Sequence, residues 1–316
     1  MADLGVAFAG LTLRNPVMTA SGTFGYGREY GEFFALGRLG AVVTKGITLE
    51  PRAGNPGPRV VETPAGMLNS IGLENPGVDR FVEKELPALR LAGVPVIVNV
   101  SGHTVGEYGE VAARLDGVEG VAALEINVSC PNVDQGGMAF GVDPTTVAAV
   151  VGGCRRRTRL PLITKLTPNV TDITAIARAA VDAGSDALSL INTLVGMVID
   201  PVARKPVLPR GIGGLSGPAV RPVAVRAVHE VAAAVDRPII GLGGVATAED
   251  ALQFIMAGAS AVAVGTAFFV DPLAAVAIAD GLSAWCDRYQ VGWIGELVGV
   301  ANPAFRGRRP GRVPVC

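Results

Sequence analysis

Glu125-Ile126-Asn127-Val128-Ser129-Cys130-Pro131-Asn132 carries an apolar strand into a tight polar turn that presents an amide and a thiol together. Pro131 cannot donate to a sheet ladder, so pairing stops there and the thiol sits at the strand's exit with Asn127 beside it. Such a turn suits redox or acid/base chemistry on a small molecule if other strands converge on it. The strand leading into it, Ala123 to Val128, is one of eight short apolar runs bounded by turn residues. The others are Pro16 to Ala20, Gly40 to Lys45, Pro95 to Val100, Pro161 to Lys165, Asp186 to Asn192, Pro238 to Leu242 and Ala261 to Gly265. Most are continuously apolar, as strands buried on both faces must be.

Stretches with helical spacing lie between them, among them Ile173 to Ala183, Ala219 to Val235 and Ala248 to Ala257. Thr247 precedes Ala248-Glu249-Asp250 as a cap, and Pro218 stands where a first helical residue belongs. Strands alternating with helices over this length predict a single (β/α)8 barrel over residues 1–305, with insertions after strands 2, 4 and 6 and a basic tail over 306–316. A doubly wound open sheet fits less well, because no Gly-x-Gly-x-x-Gly follows the first strand.

Composition narrows the function classes. With 49% hydrophobic and 17% charged residues the chain can bury a large core, and its net charge of −1 gives no reason to expect nucleic acid or an anionic membrane. The basic cluster Arg306, Arg308, Arg309 and Arg312 reads as a solvated, frayed tail. The apolar segment Ala259 to Trp285 is interrupted by Asp271-Pro272 and Asp280, so no membrane span is expected. No signal-peptide pattern precedes the first run, and the cytoplasm is the expected address. Cys130, Cys154, Cys286 and Cys316 are too scattered for a zinc or iron–sulfur site.

In such a barrel the site is built at the C-terminal ends of the strands. There the sequence offers Ser21, Lys45-Gly46, Asn99, Asn127 with Cys130, Lys165 and Asn192-Thr193, then Gly243-Gly244 and Gly265-Thr266. The glycines after strands seven and eight expose N–H groups that suit a phosphate, and Gly213-Gly214-Leu215-Ser216-Gly217 could add more donors. Tight turns are the plainer reading of any one pair. Only four of the 27 basic side chains are lysine, and Lys45 and Lys165 both close apolar strands. A compact ammonium there can meet a flat ring or its anionic edge, although a lysine can also simply snorkel to solvent. Amides, two ammonium groups, a thiol and a phosphate cradle suggest a phosphorylated organic cofactor. FMN fits best, needing hydrogen bonds along its pyrimidine edge and a cation near N1. Pyridoxal phosphate would use one lysine but gives Cys130 no task.

Asn127-Val128-Ser129-Cys130-Pro131-Asn132, taken with Thr44-Lys45-Gly46, Asn69-Ser70-Ile71-Gly72-Leu73, Lys165-Leu166-Thr167-Pro168-Asn169, Ile191-Asn192-Thr193 and Gly241-Leu242-Gly243-Gly244, resembles the class 1, B-type dihydroorotate dehydrogenases, catalytic subunit. The likeness runs from about Leu4 to Ala304. It implies oxidation of dihydroorotate to orotate in pyrimidine (UMP) biosynthesis, with Cys130 taking the C5 proton while C6 delivers a hydride to N5 of FMN. It further implies that Ser21, Lys45, Gly46, Asn99, Asn127, Lys165, Ile191, Gly217, Gly243, Gly244, Gly265 and Thr266 hold FMN. Lys45, Asn69, Ser70, Ile71, Gly72, Leu73, Asn127, Asn192 and Thr193 would bind the substrate. Orotate is a flat anion with amide edges, which asparagines can meet as donor and acceptor at once.

Within the family, the A type is expected to carry Lys-Ser where this chain has Lys45-Gly46. The class 2 enzymes use serine as the base and carry an N-terminal extension. The B type implies electron transfer to NAD through a separate subunit carrying FAD and a 2Fe-2S cluster, with a homodimer of this chain at the heart of a heterotetramer. Neither a dinucleotide fingerprint nor clustered cysteines occur in this chain, in keeping with that division. Alternatives are the A-type fumarate-linked enzyme, another FMN-dependent dihydropyrimidine oxidoreductase, another phosphate-binding barrel, or a non-catalytic scaffold. The loop Pro131 to Phe140, with Gly136-Gly137 at its middle, is expected to close over the substrate.

Overall fold

Runs of Val, Ile, Leu and Ala set between Gly and Pro punctuation become parallel strands covered on both faces. The computed structural model describes residues 2–129, 131–132 and 138–313. Among the described residues, eight strands form one parallel sheet: β1 Val17–Thr19, β2 Val42–Val43, β3 Val96–Val100, β4 Val121–Asn127, β5 Leu162–Leu166, β6 Ala187–Leu190, β7 Ile239–Leu242 and β8 Ala261–Val264. Each pairs with the next from β2 onward, β8 pairs with β1 through Val262 and Val17, and a Met18–Ala41 bridge sets β1 against β2. The sheet closes into the (β/α)8 barrel that the sequence predicts. Along the β1–β2 seam a side chain reinforces the join: Thr19 Oγ1 accepts the Val43 N–H at 2.8 Å and donates to the Val43 carbonyl at 3.0 Å.

The outer layer comprises a helix over residues 78–91 and helices α1 Val105–Leu115, α2 Pro144–Arg155, α3 Ile173–Asp182, α4 Arg221–Ala234, α5 Ala248–Ala257 and α6 Ala274–Arg288. Sequence punctuation sets their starts. Thr247 and Asp250 form a reciprocal capping box on α5, Thr247 Oγ1 accepting the Asp250 N–H at 3.2 Å and Asp250 Oδ2 accepting the Thr247 N–H at 3.1 Å. Asp172 caps α3, its Oδ1 accepting the Thr174 N–H at 2.8 Å and the Ala175 N–H at 3.3 Å. The Thr174 hydroxyl and these two N–H groups hold the Asp172 carboxyl below its ordinary range. A depressed folded-state pKa gives stability that is present above the unfolded value and lost as pH falls through the folded one. Asp172→Ala is therefore expected to lower Tm by roughly 2 °C at pH 7. That gap should begin to narrow near the ordinary carboxylate value of about 4 and close only as pH falls through the lower folded-state value; thermal melts across pH 2–7 check it.

Two insertions combine into something the sequence does not announce. Chain leaving β2 supplies Val60–Thr63 and Gly66–Asn69, and chain leaving β6 supplies Leu194–Gly196 and Gly213–Ser216. These four strands pair antiparallel in the order 194–196, 213–216, 66–69, 60–63. The small sheet therefore stands over the strand ends from which both insertions leave. After β4, Pro131–Asn132 pairs with Met138–Ala139, while Gly136-Gly137, at the middle of the loop expected to close over the substrate, lie outside the described residues. The basic tail is less free than its composition implies. Arg306, Arg308, Arg309 and Arg312 are exposed, but the Arg306 N–H donates to Ala232, the Ala7 N–H donates to Gly311, and Arg312 Nε reaches Asp3 Oδ2 at 2.7 Å. Backbone pairing thus anchors the tail as far as Arg312, which bridges to Val6. Among the described residues no helix is long and apolar enough to cross a membrane.

Candidate active site

Polar side chains that alternate inward on neighbouring barrel strands collect in one layer near the strand ends. Asn99 stands opposite Glu125, Asn127 opposite Lys165, and Lys165 opposite Ser189 in the parallel registers of β3 to β6. Lys165 is 5% exposed and its Nζ donates to Ser21 Oγ at 2.9 Å, just past β1. Asn99, wholly buried, donates from Nδ2 to Glu125 Oε2 at 2.5 Å. Gly46 lies against it: a Cβ there would come within 2.9 Å of Asn99 Oδ1. Lys45, half-buried, is fixed through its backbone N–H to Gly25 and has no carboxylate partner among the described residues. Of the sequence-selected residues, Ser21, Gly46, Asn99 and Lys165 thus meet in one polar floor.

Above this floor lies an amide cluster. Asn127 Oδ1 accepts from Ser129 Oγ at 2.5 Å, from the Ser129 N–H at 3.3 Å and from Asn192 Nδ2 at 3.3 Å, and Asn192 also contacts Ser129 Oγ. Tyr108 supports the turn from behind, its OH donating to the Asn127 carbonyl at 2.6 Å. The turn that delivers the next residue is thus pinned at Asn127 and Ser129; Cys130 itself lies outside the described residues. Thr193 stands over Gly214, where a Cβ would meet its Oγ1 at 2.1 Å, and Asn69 Nδ2 donates to the Gly214 carbonyl at 3.3 Å. So the small antiparallel sheet carries Asn69 to the Asn192-Thr193 side of the mouth. Ser70 and Ile71 are held by backbone bonds to Arg59 and Asn55, and Leu73, at φ +56°, approaches Gly46. Asn69 to Leu73 therefore borders both the floor and the amide cluster.

The glycines form a third group. Gly244 has φ +82°, and a Cβ on it would stand 2.7 Å from the Gly217 carbonyl oxygen, so only glycine brings these two turns together. Gly243 packs against Ile191, and Thr266 Oγ1 donates to Ser216 Oγ at 2.8 Å, joining the Gly265-Thr266 turn to the same place. Chain from Gly217 runs directly into a 3₁₀ turn Pro218–Val220 and then α4. N–H groups at such a junction suit an anion. One part of the sequence reading is corrected: Gly213 and Gly214 do not join the cradle. They lie in the middle of the antiparallel sheet, paired with Asn69 and with Val195-Gly196, so their backbone groups serve that ladder.

A bound flavin is compatible with this donor set on an observation independent of any motif. Asn99 Oδ1 and Ser101 Oγ are buried with no hydrogen-bond partner among the described residues, and both lie beside Gly46. Buried polar atoms ordinarily find partners, and a flat heteroaromatic group bearing N–H and C=O edges supplies them. Sequence reasoning assigned no task to Glu125, Ser189, Ser129 or Tyr108. The available signal for Glu125 was its phase: it sits two residues before Asn127 on an otherwise apolar strand and so shares the inward face. Of the remaining cysteines, Cys154 in α2 and Cys286 in α6 are buried. Burial pushes the Cys154 thiol up to about 12, and burial with the Asp287 and Glu296 carboxylates pushes Cys286 up to about 11, so neither is a base near neutral pH. Cys316 lies outside the described residues.

Comparison with known proteins agrees with the geometry. A family model described as Dihydroorotate dehydrogenase matches residues 3–285. The protein from Desulforudis audaxviator named "Dihydroorotate dehydrogenase B (NAD(+)), catalytic subunit" is 60% identical over 297 residues, covering 94% of this chain and 97% of the relative. Its namesake from Pelobacter propionicus is 57% identical over 297 residues, covering 94% of this chain and 98% of the relative. A likeness that spans the barrel, the insertions and every strand end of the site leads to one conclusion: the chain belongs to the dihydroorotate dehydrogenase family.

Proposed function

We propose that this chain is the catalytic, FMN-binding subunit of an NAD-linked dihydroorotate dehydrogenase, acting in pyrimidine biosynthesis. The observation that carries the reading is the meeting, in one barrel mouth, of the Asn127–Asn192 amide cluster, the Lys165 ammonium and the Gly217–Gly244 cradle. The names of its relatives point the same way. Gly217, Gly243, Gly244, Gly265 and Thr266 hold the FMN phosphate, while Ser21, Lys45, Gly46, Asn99, Asn127, Lys165 and Ile191 hold the ring and its side chain. FMN supplies the two-electron acceptor for the hydrogen leaving C6 of dihydroorotate. Cys130 removes the C5 proton, and the pyrimidine edges and carboxylate of the substrate are bound by Lys45, the 69–73 loop, Asn127, Asn192 and Thr193.

Relatives are named as the catalytic subunit of a system linked to NAD(+). We assign the onward path to a partner subunit bearing FAD and a 2Fe-2S cluster, joined to a homodimer of this chain as a heterotetramer. The chain alone is expected to oxidise dihydroorotate with an artificial dye acceptor, and to reduce NAD only when such a subunit is added. Full-rate NAD reduction by the chain alone, or turnover with fumarate, would contradict the assignment. Lys45→Ala should lower kcat/KM roughly 10- to 100-fold, the worth of a hydrogen bond to a charged group, and slow flavin reduction with little change in Tm. A change in Tm or yield alone would make Lys45 structural.

A further inference from the structure

Glu125 places a carboxylate where the barrel has little room for charge. It is 2% exposed, and polar groups from three other strands, β3, β5 and β6, converge on it. Asn99 Nδ2 lies at 2.5 Å and Lys165 Nζ at 3.8 Å from Oε2, and Ser189 Oγ lies at 2.7 Å from Oε1. Asn99 and Ser189 are 0% exposed and Lys165 5%. Through Lys165 the network reaches Ser21 beyond β1, so one carboxylate links residues of β3, β4, β5 and β6 with the turn after β1. Stability does not account for it, because desolvating a buried ion pair costs about what their attraction returns.

Two consequences follow from chemistry alone. A carboxylate only accepts hydrogen bonds, so Asn99 must turn its Nδ2 toward Glu125 and its Oδ1 away. That Oδ1 is the buried acceptor without a partner among the described residues, lying beside Gly46 at the end of β2. The orientation of Asn99 toward any ligand is thereby fixed. The charge of Glu125, in a low-dielectric interior, also offsets that of the Lys165 ammonium.

We infer that Glu125 is a positioning residue of the cofactor pocket. It locks Asn99 with its oxygen presented to the flavin, and it limits the positive charge that Lys165 brings there, which sets how readily bound FMN is reduced. The inference rests on the FMN reading above.

Anaerobic redox titration of FMN-loaded Glu125→Gln against an indicator dye tests it. With the ammonium no longer offset, the reduced cofactor, which carries negative charge, is stabilised. The reduction equilibrium is expected to move at least tenfold toward reduced FMN, about 30 mV for a two-electron couple. Ser189→Ala removes a neutral donor but keeps the charge, and should leave the equilibrium within twofold. An unmoved or more negative potential in Glu125→Gln, or an equal shift in Ser189→Ala, overturns the inference. Should Glu125→Gln hold no FMN, the apoprotein is the readout: adding Lys165→Gln, which removes both charges, is expected to raise its Tm, and no rise overturns the charge role. A wild-type chain that binds no FMN overturns the preceding reading and this one with it. Wild-type protein that binds FMN, beside an unmoved Glu125→Gln potential, overturns this one alone.

Discussion

Cys130→Ala is expected to keep its FMN and lose turnover by about 10²- to 10⁴-fold at neutral pH, the contribution of a positioned general base. Two observations bear on the size of the loss. The turn entering Cys130 is held at Asn127 and Ser129, Tyr108 OH on the Asn127 carbonyl at 2.6 Å and Ser129 Oγ on Asn127 Oδ1 at 2.5 Å, so the truncation should not disturb the Asn127–Asn192 amide cluster. Replacement thiols are poor candidates, because Cys154 and Cys286 are buried in helices with their thiols pushed up to about 12 and about 11. Chemistry also demands a partly ionised thiol. Stopped-flow reduction of bound FMN by dihydroorotate reads the step directly, and Cys154→Ala, expected to react at the wild-type rate, is the control. Unchanged reduction in Cys130→Ala would remove the thiol from the mechanism.

Lys165→Ala is expected to cost about 3–5 kcal/mol of folding stability and to abolish FMN binding, because truncation leaves the Glu125 carboxylate buried without its cation. Distance alone would mislead here. Lys84 Nζ lies 2.7 Å from Glu83 Oε1, closer than the 3.8 Å between Lys165 and Glu125. Yet the Lys84 pair is mostly exposed, with side chains 59% and 69% accessible, against 6% and 3% for Lys165 and Glu125. Solvent screening leaves so exposed a pair worth little, so Lys84→Ala should melt within a degree or so of wild type. Paired melts of the two variants, with FMN content from the visible spectrum, check the contrast. Equal stability losses would show that burial does not govern the difference.

What the sequence made legible follows from how each part is buried. Strands β1 to β8 are covered on both faces, so they appear as short apolar runs bounded by turn residues; six lie within the run that predicts them, while β4 begins two residues earlier, at Val121, and β5 ends one residue later, at Leu166. The antiparallel sheet over the mouth leaves no such trace in the sequence, for the opposite reason. Gly213–Ser216 is half-buried along its whole length and Gly66–Asn69 along most of it, so neither has an apolar face with a period of two to read. That is why the Gly213–Gly217 stretch reads as possible extra N–H donors for an anion, although Gly214 pairs in space with Asn69 and Val195. Strand-end residues such as Asn99, Asn127 and Lys165 were readable because a parallel barrel puts its chemistry at one end of every strand. For Glu125 the sequence shows only its inward phase, because its partners come from three other strands and no local spacing brings Asn99, Lys165 and Ser189 to it.

Bound FMN that dihydroorotate reduces is the central expectation for this chain. The purified chain, given dihydroorotate without oxygen, should lose a flavin band near 450 nm, with about one FMN per chain bleached as expected of one barrel site. A flavin band that dihydroorotate leaves intact, or a chain that stays colourless when FMN is supplied, would contradict it.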